Sequence, residues 1–151
     1  MDLVALKEAL EKPGIGKYRH DLAERFRGEK RTPLKWIREW LSADWHTIGC
    51  KYLWLAAMNA CIDRPNIPVY IIYRGLRKTD PDTFNAAIEA CRGLKVRPLI
   101  IYWWYNSSIT TLRIAAMTAC IGKYNIDKNF IEKGLKDPDK RVRRIAEEIL
   151  G

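Results

Sequence analysis

Ala56-Ala57-Met58-Asn59-Ala60-Cys61 is a short segment that recurs twice more along the chain. The second copy is Ala-Ala-Ile-Glu-Ala-Cys at residues 86–91 and the third is Ala-Ala-Met-Thr-Ala-Cys at residues 115–120, so the copies begin 30 and 29 residues apart. A unit of roughly 30 residues cannot bury its apolar face alone and becomes stable by stacking on its neighbours. The sequence therefore predicts a tandem array of similar units.

The duplication is stronger at twice this period. Residues 53–76 and 112–135, compared at a fixed offset of 59, share twelve identical residues in 24 positions. Composition alone does not produce such agreement, so alternate units match more closely than adjacent ones. The copied block is predicted to be a pair of helical hairpins.

Helix signals recur with the repeat, and the predicted fold class is all-α. Asp80-Pro81, Asp137-Pro138 and Thr32-Pro33 each place a capping side chain before a proline, which suits the first position of a helix. Residues 69–73 and 99–104 are rich in β-prone side chains. They occupy the same position in the repeat as residues 129–133, whose sequence is plainly helical, so they are assigned to helices as well. Ten helices are predicted, at residues 2–12, 16–27, 33–45, 47–63, 67–78, 81–92, 95–105, 108–122, 127–136 and 138–150.

The chain length indicates the number of domains, and the net charge indicates the kind of partner. The 151 residues suit a single domain, 1–151, with a less regular basic part at 1–46 and clear repeats at 47–151. The formal net charge is +9, and the segment from Lys12 to Arg38 holds nine Lys or Arg against three acids. Such a cluster favours an anionic partner, either nucleic acid or an acidic protein surface, although a solvated basic face without a ligand is the alternative.

Cysteine spacing and hydropathy argue against metal, cofactor and membrane partners. Cys61, Cys91 and Cys120 occupy one repeat position, where a small buried thiol packs like an apolar side chain, and their spacing matches no zinc-ligand pair. His20 and His46 also lack a ligand spacing. The longest apolar stretch, Pro98 to Tyr105, has only eight residues. We therefore expect a cytoplasmic, monomeric protein that holds no metal and no cofactor.

The C-terminal segment, from Gly134-Leu135 through Asp137-Pro138 to Gly151, resembles a HEAT repeat of the short type. Leu112-Arg113-Ile114-Ala115-Ala116 repeats the Val-Arg-x-x-Ala pattern of that family, and the likeness runs from about residue 47 to the end. It implies a right-handed α-solenoid of antiparallel helix pairs in which one set of helices lines a concave surface. Such surfaces usually bind proteins and sometimes nucleic acid, and fold analogy alone does not choose between them.

In such a stack the second helix of each unit lines the concave face, here at 33–45, 67–78, 95–105 and 127–136. At one register these helices present a predicted ridge of alternating aromatic and cationic residues, namely Trp45, Arg74, Trp104 and Lys133. Further cations on the same helices extend the predicted partner site to Lys35, Arg38, Arg77 and Lys136. The ridge suits an acidic protein or a nucleic acid with stacked bases. The alternative is a packing role, with Arg74 and Lys133 braced over buried indoles.

An enzyme alternative follows from a weaker likeness to HEAT-like DNA alkylpurine glycosylases. Ala43-Asp44-Trp45 and Tyr102-Trp103-Trp104-Tyr105 are similar to their aromatic segments, and Asp44 would then be the catalytic carboxylate. The pattern departs where Asn106 stands in place of the acid that follows a Trp-rich helix in that family. We therefore expect a non-enzymatic adaptor or inhibitor first, a nucleic-acid-binding protein second, and a glycosylase third.

Overall fold

The computed structural model describes residues 2–12, 16–44 and 49–151. Within these ranges it contains ten α-helices and no strand, which confirms the all-α prediction. The helices in chain order are α1 (Leu3–Glu11), α2 (Gly16–Glu24), α3 (Leu34–Leu41), α4 (Cys50–Asn59), α5 (Val69–Leu76), α6 (Pro81–Ala90), α7 (Pro98–Tyr105), α8 (Thr110–Ala119), α9 (Lys128–Gly134) and α10 (Lys140–Leu150). None of the described helices is long and apolar enough to cross a membrane.

Only one of the three predicted capping residues caps a helix. Asp80 accepts a hydrogen bond from Thr83 N at the start of α6, as expected. Helix α10 begins two residues later than predicted, because Asp139 is its cap, while Asp137 is buried and accepts from Asp139 N. Thr32 bonds back to Glu29 O and makes no cap.

The helices pack in two successions. The even-numbered helices contact one another in chain order from α2 to α10, and each odd-numbered helix packs on the even-numbered helix that follows it. The three Ala-Ala-x-x-Ala-Cys segments close α4, α6 and α8, and all their alanines and cysteines are buried. Small side chains let neighbouring helix axes approach closely, so the repeated segment is what brings these three helices together.

The 59-residue duplication extends to individual contacts. Arg64 Nη1 and Lys123 Nζ, 59 residues later, each donate to the carbonyl four residues before them, that of Ala60 at 3.4 Å and that of Ala119. Gly134 faces Met117 in the same way that Gly75 faces Met58, and a Cβ on Gly134 would lie 2.6 Å from Met117 Cε. The copied block therefore reproduces its packing as well as its sequence.

Burial confirms the assignment of the repeated cysteines to the core. All four cysteines are free thiols and are buried. Removal from water disfavours the charged thiolate, and it raises the pKa of Cys61, Cys91 and Cys120 to about 12. These thiols are therefore neutral and poorly nucleophilic in the folded protein.

The buried thiols predict a loss of stability at alkaline pH. An unfolded thiol ionises near its ordinary pKa of 9.0, whereas the folded thiols stay protonated to about 12. Their contribution is therefore complete below pH 9 and falls as the pH rises toward 12. In urea unfolding at a series of pH values, we expect Cys91→Ala to lose stability less steeply than the parent above pH 9, by up to about 1.4 kcal/mol per pH unit. Identical slopes would show that the Cys91 thiol is not held neutral by burial.

Candidate partner-binding face

The odd-numbered helices from α3 to α9 form a row in which side chains of consecutive helices are in contact. Arg38 Nε on α3 donates to the Tyr70 hydroxyl on α5 at 2.8 Å. The ring of Tyr73 on α5 stacks on Trp103 of α7 with centroids 5.9 Å apart, and Tyr105 of α7 meets Phe130 of α9 edge to face at 5.0 Å. Side chains therefore link each helix of this row to the next.

The register of α7 differs from that of its neighbours by one residue. The residues that precede α5, α7 and α9 as N-caps are Pro68, Arg97 and Asp127. Pro68 and Asp127 follow the repeated cysteine by seven residues, but Arg97 follows Cys91 by only six. This shorter connection rotates α7 by one position against the pattern that the repeated cysteines predict.

The shift corrects one member of the predicted ridge. Trp104 is 1% exposed and stacks against Tyr73 in the core, so its indole is not available to a partner. Trp103 is 63% exposed instead. Counted from the N-caps, the seventh residue of each row helix is buried, and these are Trp40, Gly75, Trp104 and Gly134. The sixth residues face outward, and they are Glu39, Arg74, Trp103 and Lys133.

The other predicted site residues are Trp45 and six cations. Trp45 lies outside the described residues, as does His46. Arg74 is half-buried, and the remaining predicted residues are exposed, namely Lys35, Arg38, Arg77, Lys133 and Lys136. The row therefore presents all six predicted cations.

Within the part of the chain that the structure describes, none of these six cations forms a salt bridge. Arg38 and Arg77 instead lie over the rings of Tyr70 and Tyr73, at 5.9 and 5.8 Å, so cation–ring contacts exist but involve tyrosines rather than the predicted indoles. Cations near the even-numbered helices are instead paired with acidic side chains. Arg27 pairs with Glu89 there, and Arg92 pairs with Glu148 at 3.4 Å.

An exposed apolar strip crosses α5 and α7. It consists of Tyr70, Leu99 and Trp103, whose side chains are 50%, 77% and 63% exposed. Tyr70 and Leu99 are both the second residue after their N-caps, and Trp103 lies one helical turn beyond Leu99. Neighbouring exposed apolar side chains of this size are typical of interaction sites. Sequence reasoning missed Leu99, and the count from Arg97 is the signal that finds it.

Beside the strip, a basic groove opens between the C-terminal ends of α3 and α5. The groove has a volume of about 820 Å³, and its polar lining includes Asp44, Arg74, Arg77 and Lys78. Lys78 Nζ donates to Leu41 O at 3.0 Å and lies 4.5 Å from the ring of Trp54. Burial lowers the pKa of Lys78, and the charge of Arg74 lowers it further. The sequence did not single out Lys78, which lies four residues after Arg74 and just beyond the end of α5.

The enzyme alternative depends on Asp44, and Asn106 is where the sequence departs from the pattern of that family. Asp44 is exposed at the edge of the basic groove, just before the undescribed residues 45–48. Asn106 caps the end of α7 and is exposed. Among the described residues, no group of three or more His, Cys, Asp or Glu is arranged to hold a metal ion.

Comparison with known protein families, with curated proteins and with solved structures found no significant match to the chain. The function therefore has to be argued from the charges, exposure and contacts of the row itself.

Proposed function

We propose that the chain is a HEAT-like right-handed α-solenoid that acts as a non-enzymatic binding module, with the row of α3, α5, α7 and α9 as its partner-binding face. The observation that carries the proposal is the combination of an exposed apolar strip with flanking cations that have no acidic partner among the described residues. The solenoid is supported by the two helix successions and the 59-residue duplication. The partner we infer is an acidic segment of another protein.

An acidic protein segment fits this face better than other partners for three reasons. Arginine binds carboxylates through a planar fork of donors, and Arg38, Arg74 and Arg77 provide three such groups around the strip. Tryptophan, tyrosine and arginine dominate the energetic centres of protein interfaces. Leu99 offers no ring on which a base can stack, yet it is the most exposed member of the strip.

Selection from a displayed random-peptide library at physiological salt tests this proposal. We expect the selected peptides to place Asp or Glu beside an aromatic or aliphatic residue. Trp103→Ala should weaken their binding at least tenfold, since a central interface tryptophan contributes about 2 kcal/mol or more.

Tyr124→Ala is the matched control, because it removes an aromatic side chain that is fully exposed but lies outside the row. It should leave the affinity unchanged. Equal losses in Trp103→Ala and Tyr124→Ala, or selected peptides without acidic residues, would refute the proposed face.

Nucleic-acid binding is the second candidate, favoured by one observation. The cation pair Arg74 and Arg77, in and at the end of α5, returns as Lys133 and Lys136, in and just after α9, at an offset of 59 residues. Regularly spaced cations suit a phosphate backbone, and each phosphate contact adds about one unit to the slope of log affinity against log salt. With labelled single- and double-stranded DNA and RNA, the double variant Arg74→Ala/Lys133→Ala should flatten that slope by about two units if this candidate is right. Absence of binding at low salt would exclude it.

A further inference from the structure

The basic groove has features that the proposed function does not use. Arg74 lies in the last turn of α5, Arg77 is the C-cap of this helix, and Lys78 follows directly after it. All three line the same groove, together with Trp54 and the end of α3. Three cationic residues therefore line one open space of about 820 Å³.

Neutral acceptors hold each of these cations in place. Arg74 Nη2 donates to Ser42 Oγ at 3.3 Å, and Arg77 Nη1 donates to the Tyr73 hydroxyl at 3.0 Å. Lys78 Nζ donates to a main-chain carbonyl, that of Leu41. A hydroxyl or carbonyl partner orients a cation without neutralising it, and each group keeps further N–H donors for a ligand. The cations are thus arranged in advance of binding, as a strong anion site requires.

The charge balance of the groove selects the kind of anion. The lining carries three cations and one carboxylate, Asp44, which leaves a net charge of +2. The burial of Lys78 and the positive charge of Arg74 both oppose this arrangement, and both lower the pKa of Lys78. A bound dianion relieves the repulsion, whereas a single carboxylate leaves half of the charge in place.

We propose that the basic groove binds a phosphate monoester through Arg74, Arg77 and Lys78. A phosphate monoester carries a charge of about −1.5 to −2 at neutral pH and three acceptor oxygens, which matches both the net charge and the three donors. The site itself does not depend on the apolar strip. Only the source of the phosphate rests on the proposed function, because a phosphorylated side chain of the acidic partner is one source and a free phosphorylated small molecule is the other.

Calorimetric titration with phenyl phosphate at low salt tests the site directly. We expect saturable binding of one equivalent, and we expect Arg77→Gln and Lys78→Gln each to weaken it at least tenfold, in line with a lost charge-assisted hydrogen bond. Phenyl sulfate has a similar shape but one negative charge, so it should bind at least tenfold more weakly. Arg92→Gln is the matched control because it removes one exposed arginine charge far from the groove.

Three results would overturn the proposal: no saturable heat with phenyl phosphate, equal affinity for phenyl sulfate, or equal weakening by Arg92→Gln. Lys78 also bonds to the end of α3, so circular dichroism should accompany its variant. If Lys78→Gln is misfolded, Arg77→Gln decides alone, since Arg77 is exposed and its only described side-chain hydrogen bond is with Tyr73, four residues earlier.

The two proposals fail in distinguishable ways. Phenyl phosphate that binds while acidic peptides do not would refute the partner-binding face alone. Acidic peptides that bind while phenyl phosphate does not would refute the phosphate site alone. The source is decided by comparing inorganic phosphate with a selected peptide that carries a phosphorylated residue. If the phosphorylated peptide binds more tightly than inorganic phosphate, and this difference is lost in Trp103→Ala, the phosphate belongs to the partner protein. If the two ligands bind equally, the phosphate belongs to a small molecule. Both results support the site.

Discussion

Replacing Trp104 with alanine is expected to lower the free energy of unfolding by about 3–5 kcal/mol, the usual cost of truncating a buried tryptophan. Its indole is 1% exposed and stacks against Tyr73 between α5 and α7. The substitution would leave a cavity where α5 and α7 meet, and the surrounding helices have little freedom to close it. Urea unfolding followed by circular dichroism measures the effect.

The adjacent residue provides the matched control for that experiment. Trp103 is 63% exposed, so Trp103→Ala should change the free energy of unfolding by about 0.5 kcal/mol or slightly more, because a surface substitution loses only its stacking contact with Tyr73. The register of α7 determines which of the two tryptophans is buried and which is exposed. A larger loss of stability in Trp103→Ala than in Trp104→Ala would mean that α7 has the register that the cysteine spacing predicted.

Asp137→Ala is expected to lower the free energy of unfolding by about 3 kcal/mol. Its carboxylate accepts hydrogen bonds from the Tyr105 hydroxyl at 2.8 Å and from Arg113 Nε at 3.3 Å, and its side chain is 3% exposed. Removal of one partner of a buried pair leaves the other charge uncompensated, which costs about 3–5 kcal/mol. Arg113 retains 18% exposure and so keeps some hydration, which places the expected value at the lower end of that range.

Tyr105→Phe separates the ion pair from the hydroxyl–carboxylate hydrogen bond in this network. It removes only the hydroxyl and should cost about 1.5 kcal/mol, the lower end for a hydrogen bond to a charged group. Equal losses in Asp137→Ala and Tyr105→Phe, measured by urea unfolding, would show that Arg113 gains nothing from the buried carboxylate. The ion pair would then be no more than a surface contact in its energetic effect.

The core and the order of the helices could be predicted from the sequence because the repeated segment is local and carries its own period. Ala57, Ala87 and Ala116 are all fully buried at the equivalent positions that the segment predicts. The register of α7 could not be predicted in the same way. It depends on the length of the connection after Cys91, and one missing residue there exchanges the environments of Trp103 and Trp104.

The cations of the candidate site could be predicted from the sequence, but its exposed apolar residues could not. Arg74, Arg77 and Lys133 stood out because cations recur at the repeat spacing. The exposure of Leu99 was hidden, since a leucine in an apolar helix such as α7 is ordinarily assigned to the core. Lys78 was overlooked for a related reason: its role follows from its contacts with Leu41 and Trp54, which belong to other helices.

Photo-crosslinking in the native host tests the proposed partner-binding face most directly. A photoreactive phenylalanine derivative is placed at position 103 in one variant and at position 124 in another, two exposed aromatic sites of which only the first lies in the row. The proposed face predicts discrete adducts with proteins that carry acidic segments from position 103 and none of these adducts from position 124. The same adducts from both positions, or adducts from position 124 alone, would contradict it.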